Sequence, residues 1–502
     1  MKARCYSQRE ERICAAVVIF VIALAAVLRV HLAAIPLERD EGEYAYAGQL
    51  MLEGVPPYAA AWNMKLPGTY AAHAAILALF GQTARGIHFG LLVVNAATTI
   101  LVYLLGRWLF GPLGGSAAAA GFALLSVEPA VLGTASHATH FVILPAMGAT
   151  LLLLRRPPCV FWAGFLYGIA FLMKQHGACF ILFGLGYLIW ERWRRGTPRA
   201  LVRALPLYAT GAALPFAFTC LLLKRAGVFA GFWFWTFTYA RGYTALLPLR
   251  AGVGFFRMNF GQVLVSAPAL WAGAAMGLVL LWRTREERAT ALLLTGFLEF
   301  SFLGTVPGFY FRTHYFILVL PAVALLIGAA AAARPRFSIP LFAIALLFSI
   351  YQQREFFFFM KPDEASQAVW GAANSFEKAK RAGEWLRSHS RPDARVAVLG
   401  SEPEIYFYAN RRAATGYLYM YPLMEPGPQA VKMQDDLIRQ IEASRPEYVA
   451  FAYSNVSWGR DNSSSTRVFQ WWPDYRDANY SLAAWIYQRR PDAYISIYRR
   501  NP

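Results

Sequence analysis

The chain has 502 residues, of which 57% are hydrophobic and only 15% charged, and its formal net charge is +19. That apolar excess excludes an ordinary soluble protein and puts a membrane protein first. Nucleic acid is excluded as a partner, because the basic residues stand in short clusters between apolar runs rather than on one soluble face.

The first apolar run, residues 13–35, is long enough to span a hydrocarbon core and carries only Arg29 and His31 near its far end. It follows a charged N-terminal stretch and precedes no convincing cleavage site, so it reads as a retained signal anchor. Further runs lie at 86–109, 115–133, 139–154, 159–175, 177–190, 204–223, 262–282, 289–306, 315–333 and 337–354, making about eleven crossings. Those at 139–154 and 177–190 are short for a full crossing and read as extended by neighbours or partly re-entrant. Up to residue 360 the chain holds 29 Lys/Arg against 13 Asp/Glu; from 361 onward it holds 19 against 16. A cytoplasmic N-terminus places the clusters at Arg155-Arg156, Arg192 to Arg195 and Arg283 to Arg288 on the inner side. An odd number of spans then puts residues 36–85 and everything beyond 360 outside. The expectation is a multi-pass protein of the cytoplasmic (inner) membrane with an extracytoplasmic C-terminal domain. The five cysteines stand singly in the membrane half without zinc-ligand spacing, as small core residues.

Residues 361–502 change character. SFEKAKRAGEWLRSHS and PQAVKMQDDLIRQIEAS read as amphipathic helices, RVAVLG and YVAFAY as buried strands. Their alternation predicts a small soluble α/β domain with a parallel sheet, following a membrane domain of residues 1–360. The turn GSEPE after the first strand sits where such folds can bind ligands, although a packing role is favoured.

The chemistry concentrates in the outer loop 36–85. Asp40 is the only aspartate in the first 360 residues, and it stands in RDEGEYAYAGQL with Glu38, Glu41 and Glu43 close by. Acids here can cap an amphipathic helix through its dipole and free N–H groups, and Glu43 reads as no more than that. Asp40 has more claim, because WNMKLPGTY follows with Lys65 and Tyr70, and then Arg85 opens the next span. A carboxylate can take the proton from an attacking hydroxyl. Cations can hold a departing phosphate as its charge grows. Together they have the polarity needed to transfer a sugar from a lipid-linked phosphate at the bilayer surface.

The runs RDEGEYAYAGQLMLEGVPPY, KLPGTY, LFGQTARG and VYLLGRWLFG, and farther on FLMKQHG and FYFRTHYFILVLPAVALL, resemble the GT-C integral-membrane glycosyltransferases. Within them the resemblance is to the branch of the protein O-mannosyltransferases and the lipid A aminoarabinose transferase. It covers the membrane half; the C-terminal domain shares only the general layout. It implies that Asp40 is the catalytic base, that Lys65 of the K-x-P motif contacts the carrier phosphate, and that Glu41 is a supporting acid orienting the acceptor or a basic side chain. It also implies an inverting displacement with a polyprenyl-phosphate sugar as donor, requiring no other cofactor. The acceptor, a glycan, a lipid or a protein, is left open. The chain departs from the pattern at Leu66, where relatives often have proline, and after the third span, where SHATHF with His137 and His140 replaces a second acid.

Other residues have two readings each. Arg312, His314 and Tyr315 in VPGFYFRTHYF, and Lys174 in MKQHG, are donor-phosphate ligands or interfacial anchors. His137, His140 and Tyr70 are candidates for binding acceptor or sugar. The aromatic loop 227–250 reads as an interfacial belt before a gate. Glu299, inside an expected span, is a functional candidate by default. His137, His140 and His176 with Asp40 or Glu41 suggest a metal, but without tight ligand spacing no metal is assigned. A lipid-linked sugar transporter or flippase, and a polymerase or ligase using diphosphate-linked oligosaccharide, are the alternatives to single-sugar transfer.

Overall fold

The computed structural model describes residues 7–371, 376–487 and 494–502. Ser375, which opens the first expected helix of the C-terminal domain, lies outside them. Helix α1 (Gln8–His31) starts at Ser7, whose hydroxyl and the Glu10 carboxylate close a capping box. Helix α2 (Arg39–Leu52) is amphipathic and lies outside the first apolar run; α3 (Pro67–Phe80) has proline at its first position and ends at Gly81 with φ +87°. Helix α4 (Ala84–Leu125) holds the expected span 86–109 and only the first part of that at 115–133, and breaks between them, at Gly111 (φ +86°) and Pro112.

Next come α5 (Ala138–Leu154), α6 (Val160–Met173), α7 (Ala178–Arg194) and α8 (Leu201–Arg225). Close packing between helices uses small residues, as lipid-embedded helices require. A Cβ on Gly164 or Gly168 would collide with backbone carbonyls of α8, and one on Gly328 with the Gly114 carbonyl. Among the described residues four helices are long and apolar enough to cross a membrane, or up to five if the pair Leu249–Ser266 and Pro268–Arg283, bent by 96°, is one broken span. Shorter apolar helices lie at Ala138–Leu154, Val160–Met173 and Leu320–Ala333. The protein is thus multi-pass and membrane-embedded. Glu299 is exposed on the helix Arg288–Leu303.

Among the described residues the C-terminal domain has five strands, β1 (Arg395–Leu399), β2 (Arg412–Ala413), β3 (Tyr448–Tyr453), β4 (Tyr480–Ile486) and β5 (Tyr494–Arg500), in the order β2-β1-β3-β5-β4. Strand β1 runs parallel to β2 and β3, as expected, but β5 pairs antiparallel with both β3 and β4. The sheet is therefore mixed. The connection between β4 and β5 is too short for the crossover a parallel pair needs.

This domain shares a core with α2. Leu37, Ala45, Tyr46 and Leu50 pack in one cluster with Val396, Val398, Ile405 and Tyr406. Gly42 makes this possible, since a Cβ there would overlap the backbone of Glu404. The aromatic loop joins in. Trp235 and Tyr239 are buried against Tyr417 and Leu423, and Tyr239 donates to Glu425. Part of the expected belt therefore docks the C-terminal domain, while Trp233 remains exposed.

Candidate active site

The start of α2 builds the site. Glu38 is its N-cap: the Glu41 N–H donates to Glu38 Oε1 (2.9 Å), and the Glu38 N–H to Glu41 Oε2 (3.2 Å). This box fixes the first turn and presents Asp40 from it. Lys65 arrives from the loop before α3, where Tyr58 Oη donates to its carbonyl (2.7 Å) and Gln175 holds the Met64 carbonyl (2.8 Å). Lys65 Nζ then donates to Asp40 Oδ2 at 2.9 Å, with the two side chains 19% and 22% exposed. Burial works against the Asp40 charge, but Lys65, His137 and Lys174 hold its carboxyl well below the usual range. Burial likewise disfavours the Lys65 ammonium, and Asp40 more than restores it.

Two tyrosines complete the surroundings of Asp40. Tyr44, one turn along α2, reaches Oδ2 at 3.5 Å, and its ring centroid lies 5.5 Å from Lys65 Nζ. Tyr419 comes from the C-terminal domain and donates to Oδ1 at 3.3 Å. Tyr44 has the helical i, i+4 spacing that makes it legible in the sequence; nothing in the chain pattern announces Tyr419.

The other acids take separate parts. Glu41 accepts from the Ser136 N–H and pairs with His88 Nε2 at 3.0 Å, while His88 Nδ1 faces the Ala33 carbonyl at 2.8 Å. Of the two tasks expected for Glu41, the geometry matches orientation of a basic side chain, namely His88. Glu43 is no solvated cap. It is buried, accepts from Tyr70 and from Asn63 Nδ2 (2.7 Å), and burial pushes its carboxyl up to about 7. Tyr70 thus reaches the site through Glu43. The helical spacing that suggested a cap also turns Glu43 inward, toward α3.

His137 precedes α5 and stacks on His314 with ring centroids 4.0 Å apart and an interplanar angle of 9°. Its Nδ1 lies 3.7 Å from Glu38 Oε1, neither ring nitrogen has a hydrogen-bond partner, and burial pushes it down to about 4, so the ring is neutral at neutral pH. One ligand atom each from Asp40, His137 and His314 falls within a span of 4.8 Å. These two histidines and a carboxylate suit a divalent transition metal, although Asp40 is already engaged by Lys65. They differ from the set expected: His140 faces Asn95 (3.2 Å), and His176 packs edge-on against Tyr315.

The remaining cations are arranged around the pair. Lys174 Nζ lies 4.3 Å from the Tyr315 ring centroid; it is buried and has no carboxylate within salt-bridge distance among the described residues. Arg312 is exposed, with its guanidinium carbon 5.3 Å from the Tyr310 centroid and Nη2 3.4 Å from Tyr243 Oη. Arg85 stands exposed on the first turn of α4 and shares no described contact with Asp40 or Lys65. The structure therefore gathers Asp40, Lys65, Lys174, His137, His314 and Tyr315 and leaves Arg85 and His140 aside.

Residues 65–222 match the family model described as dolichyl-phosphate-mannose-protein mannosyltransferase. No curated protein matches the sequence. Among solved structures, ArnT from Cupriavidus metallidurans bound to undecaprenyl phosphate matches over 96% of this chain and 97% of its own, with a TM-score of 0.63 and 13% identity. AglB, the archaeal oligosaccharyltransferase from Archaeoglobus fulgidus, in complex with an inhibitory peptide and a dolichol-phosphate, matches over 90% and 70%, with a TM-score of 0.54 and 14% identity. The family model and the shared fold together support the resemblance read from the sequence motifs: this chain is similar to the GT-C integral-membrane glycosyltransferases.

Proposed function

We propose that the protein is a glycosyltransferase that moves one sugar, with inversion, from a polyprenyl-phosphate carrier to a hydroxyl acceptor on the outer face of the cytoplasmic membrane. The observation that carries this reading is the Asp40–Lys65 pair, two residues 25 positions apart held at 2.9 Å in the loop outside the first span. Undecaprenyl phosphate in ArnT and dolichol-phosphate in AglB support the class of donor.

The incoming donor phosphate competes with Asp40 for Lys65. As the ammonium turns to the phosphate, the Asp40 carboxylate loses the partner that depresses its basicity. Lys174, buried against the Tyr315 ring, faces the same phosphate, and Arg312 adds a planar fork at the rim. Asp40 then takes the acceptor O–H proton while the acceptor oxygen bonds to the anomeric carbon. The bond from that carbon to the phosphate oxygen breaks, its electron pair staying on the phosphate, and polyprenyl phosphate leaves. Charge grows on the leaving phosphate in the transition state, where fixed cations stabilise it most. His137 and His314, neutral and adjacent to Asp40, offer the acceptor further hydrogen bonds.

Purified protein in lipid nanodiscs, given polyprenyl-phosphate sugar and a panel of acceptors, is expected to release free polyprenyl phosphate together with a glycosylated acceptor. Asp40→Asn should abolish release while keeping donor binding, since it removes proton acceptance with little change of volume. Wild-type turnover in Asp40→Asn would place the base elsewhere. A transporter would release no free carrier at all, and a diphosphate product would identify a polymerase or ligase.

A further inference from the structure

We propose that the C-terminal domain is part of the catalytic centre, and that its Tyr419 is the residue that positions the Asp40 carboxylate. This rests on Asp40 being the base. Lys65 and Tyr44 both reach Oδ2. The last torsion of an aspartate is broad, so when Lys65 turns to the donor phosphate the carboxylate needs another contact to keep its orientation. Tyr419 Oη holds the second oxygen at 3.3 Å. With both oxygens held, the plane of the carboxylate is fixed beside His137 and His314.

Tyr419 can do this because its own segment is clamped. At one end Trp62 of the outer loop donates its N–H to the Gly416 carbonyl at 2.9 Å. At the other, the Met420 N–H donates to Ser401 Oγ at 2.9 Å. The Ser401 carbonyl in turn accepts from Arg39 Nε at 2.8 Å, and Arg39 is the residue next to Asp40. The path from Asp40 through Tyr419, Met420, Ser401 and Arg39 back to Asp40 is therefore a closed ring of covalent and hydrogen bonds. It gives the turn after β1 a task beyond packing: Ser401 holds both the helix that carries the base and the loop that carries its partner. Tyr419 itself is buried, so its hydroxyl has little freedom to exchange Asp40 for solvent.

The test uses the full-length protein with the same donor and acceptor. Tyr419→Phe removes one hydrogen bond to a charged group and is expected to lower kcat by roughly ten- to a hundredfold, with the donor KM within about twofold because the phosphate cations are untouched. A donor to the ionised carboxylate lowers its pKa, so its loss moves the acid limb of the rate profile to higher pH. Tyr417→Phe, two residues earlier, removes a hydroxyl that donates to Asp436 and should leave kcat and the acid limb unchanged. Thermal unfolding of Tyr419→Phe matching that of the wild type, with the kinetic changes present, separates positioning from folding and supports the proposal. If Asp40→Asn is inactive while Tyr419→Phe keeps wild-type kcat and pH profile, the proposal for Tyr419 falls alone. If Asp40→Asn is fully active, the assignment of the base falls and takes this proposal with it.

Discussion

Replacing Lys65 by methionine keeps most of the side-chain volume and removes the charge that Asp40 faces. At 2.9 Å the Coulomb attraction is about 6 kcal/mol for an effective dielectric near 20 and about 1.4 kcal/mol in bulk water. The two side chains retain 19% and 22% exposure, so desolvation and screening offset much of the larger figure, and we expect a loss of about 2 kcal/mol. The pH dependence carries the diagnostic sign. In the wild type the folded Asp40 carboxyl lies below its unfolded value, so the pair's contribution is fully present above about pH 4 and is lost as pH falls through the folded pKa. Without Lys65 the largest charge holding that carboxyl down is gone, so the folded pKa rises and the variant loses less stability as pH falls below about 4. Thermal unfolding in nanodiscs over a pH series reads this directly. Donor binding by the same variant should weaken by roughly ten- to a hundredfold, the worth of one charge-assisted hydrogen bond. A Lys65→Met protein with wild-type donor affinity and a wild-type pH dependence of unfolding would refute the pairing and the phosphate role alike.

Glu43→Gln mimics the protonated form of a carboxyl that burial pushes up to about 7. A raised folded pKa contributes stability that is fully present below the unfolded value and is lost as pH rises to the folded one, so the wild type should lose stability between about pH 4 and 7 and Glu43→Gln should lose less, as unfolding midpoints across that range will report. Asp40→Asn should lower turnover by at least about a hundredfold, the usual scale for a general base, with donor affinity retained in a binding assay. Exhaustive chelation should leave transfer intact, because Asp40, the one carboxylate of the Asp40–His137–His314 group, is paired with Lys65 before the donor binds. Loss of activity on chelation, restored by a divalent ion and absent from His314→Ala, would overturn that expectation.

The apolar helices and the acid-rich segment after the first of them were legible because the information is local. Hydropathy marks each run, a lone aspartate in a basic chain marks α2, and Pro67 after Lys65 marks the start of α3. Where a turn interrupts two apolar runs, as at Gly111-Pro112, the sequence separates what the backbone continues as one broken helix. The C-terminal hairpin of β4 and β5 was missed because β4 is largely exposed and lacks a clear apolar alternation.

By itself, then, the sequence determined the membrane class and the candidacy of Asp40 and Lys65 in the acid-rich segment, since these depend on composition, short-range spacing and recognisable motifs. Only the tertiary structure decided that Glu43 turns inward to Tyr70, that His88 pairs with Glu41, that His137 stacks on His314, and that Tyr419 reaches Asp40 across 379 positions. Contacts at such separations are set by how α2 packs against both the bundle and the mixed sheet. No periodicity along the chain encodes that closure.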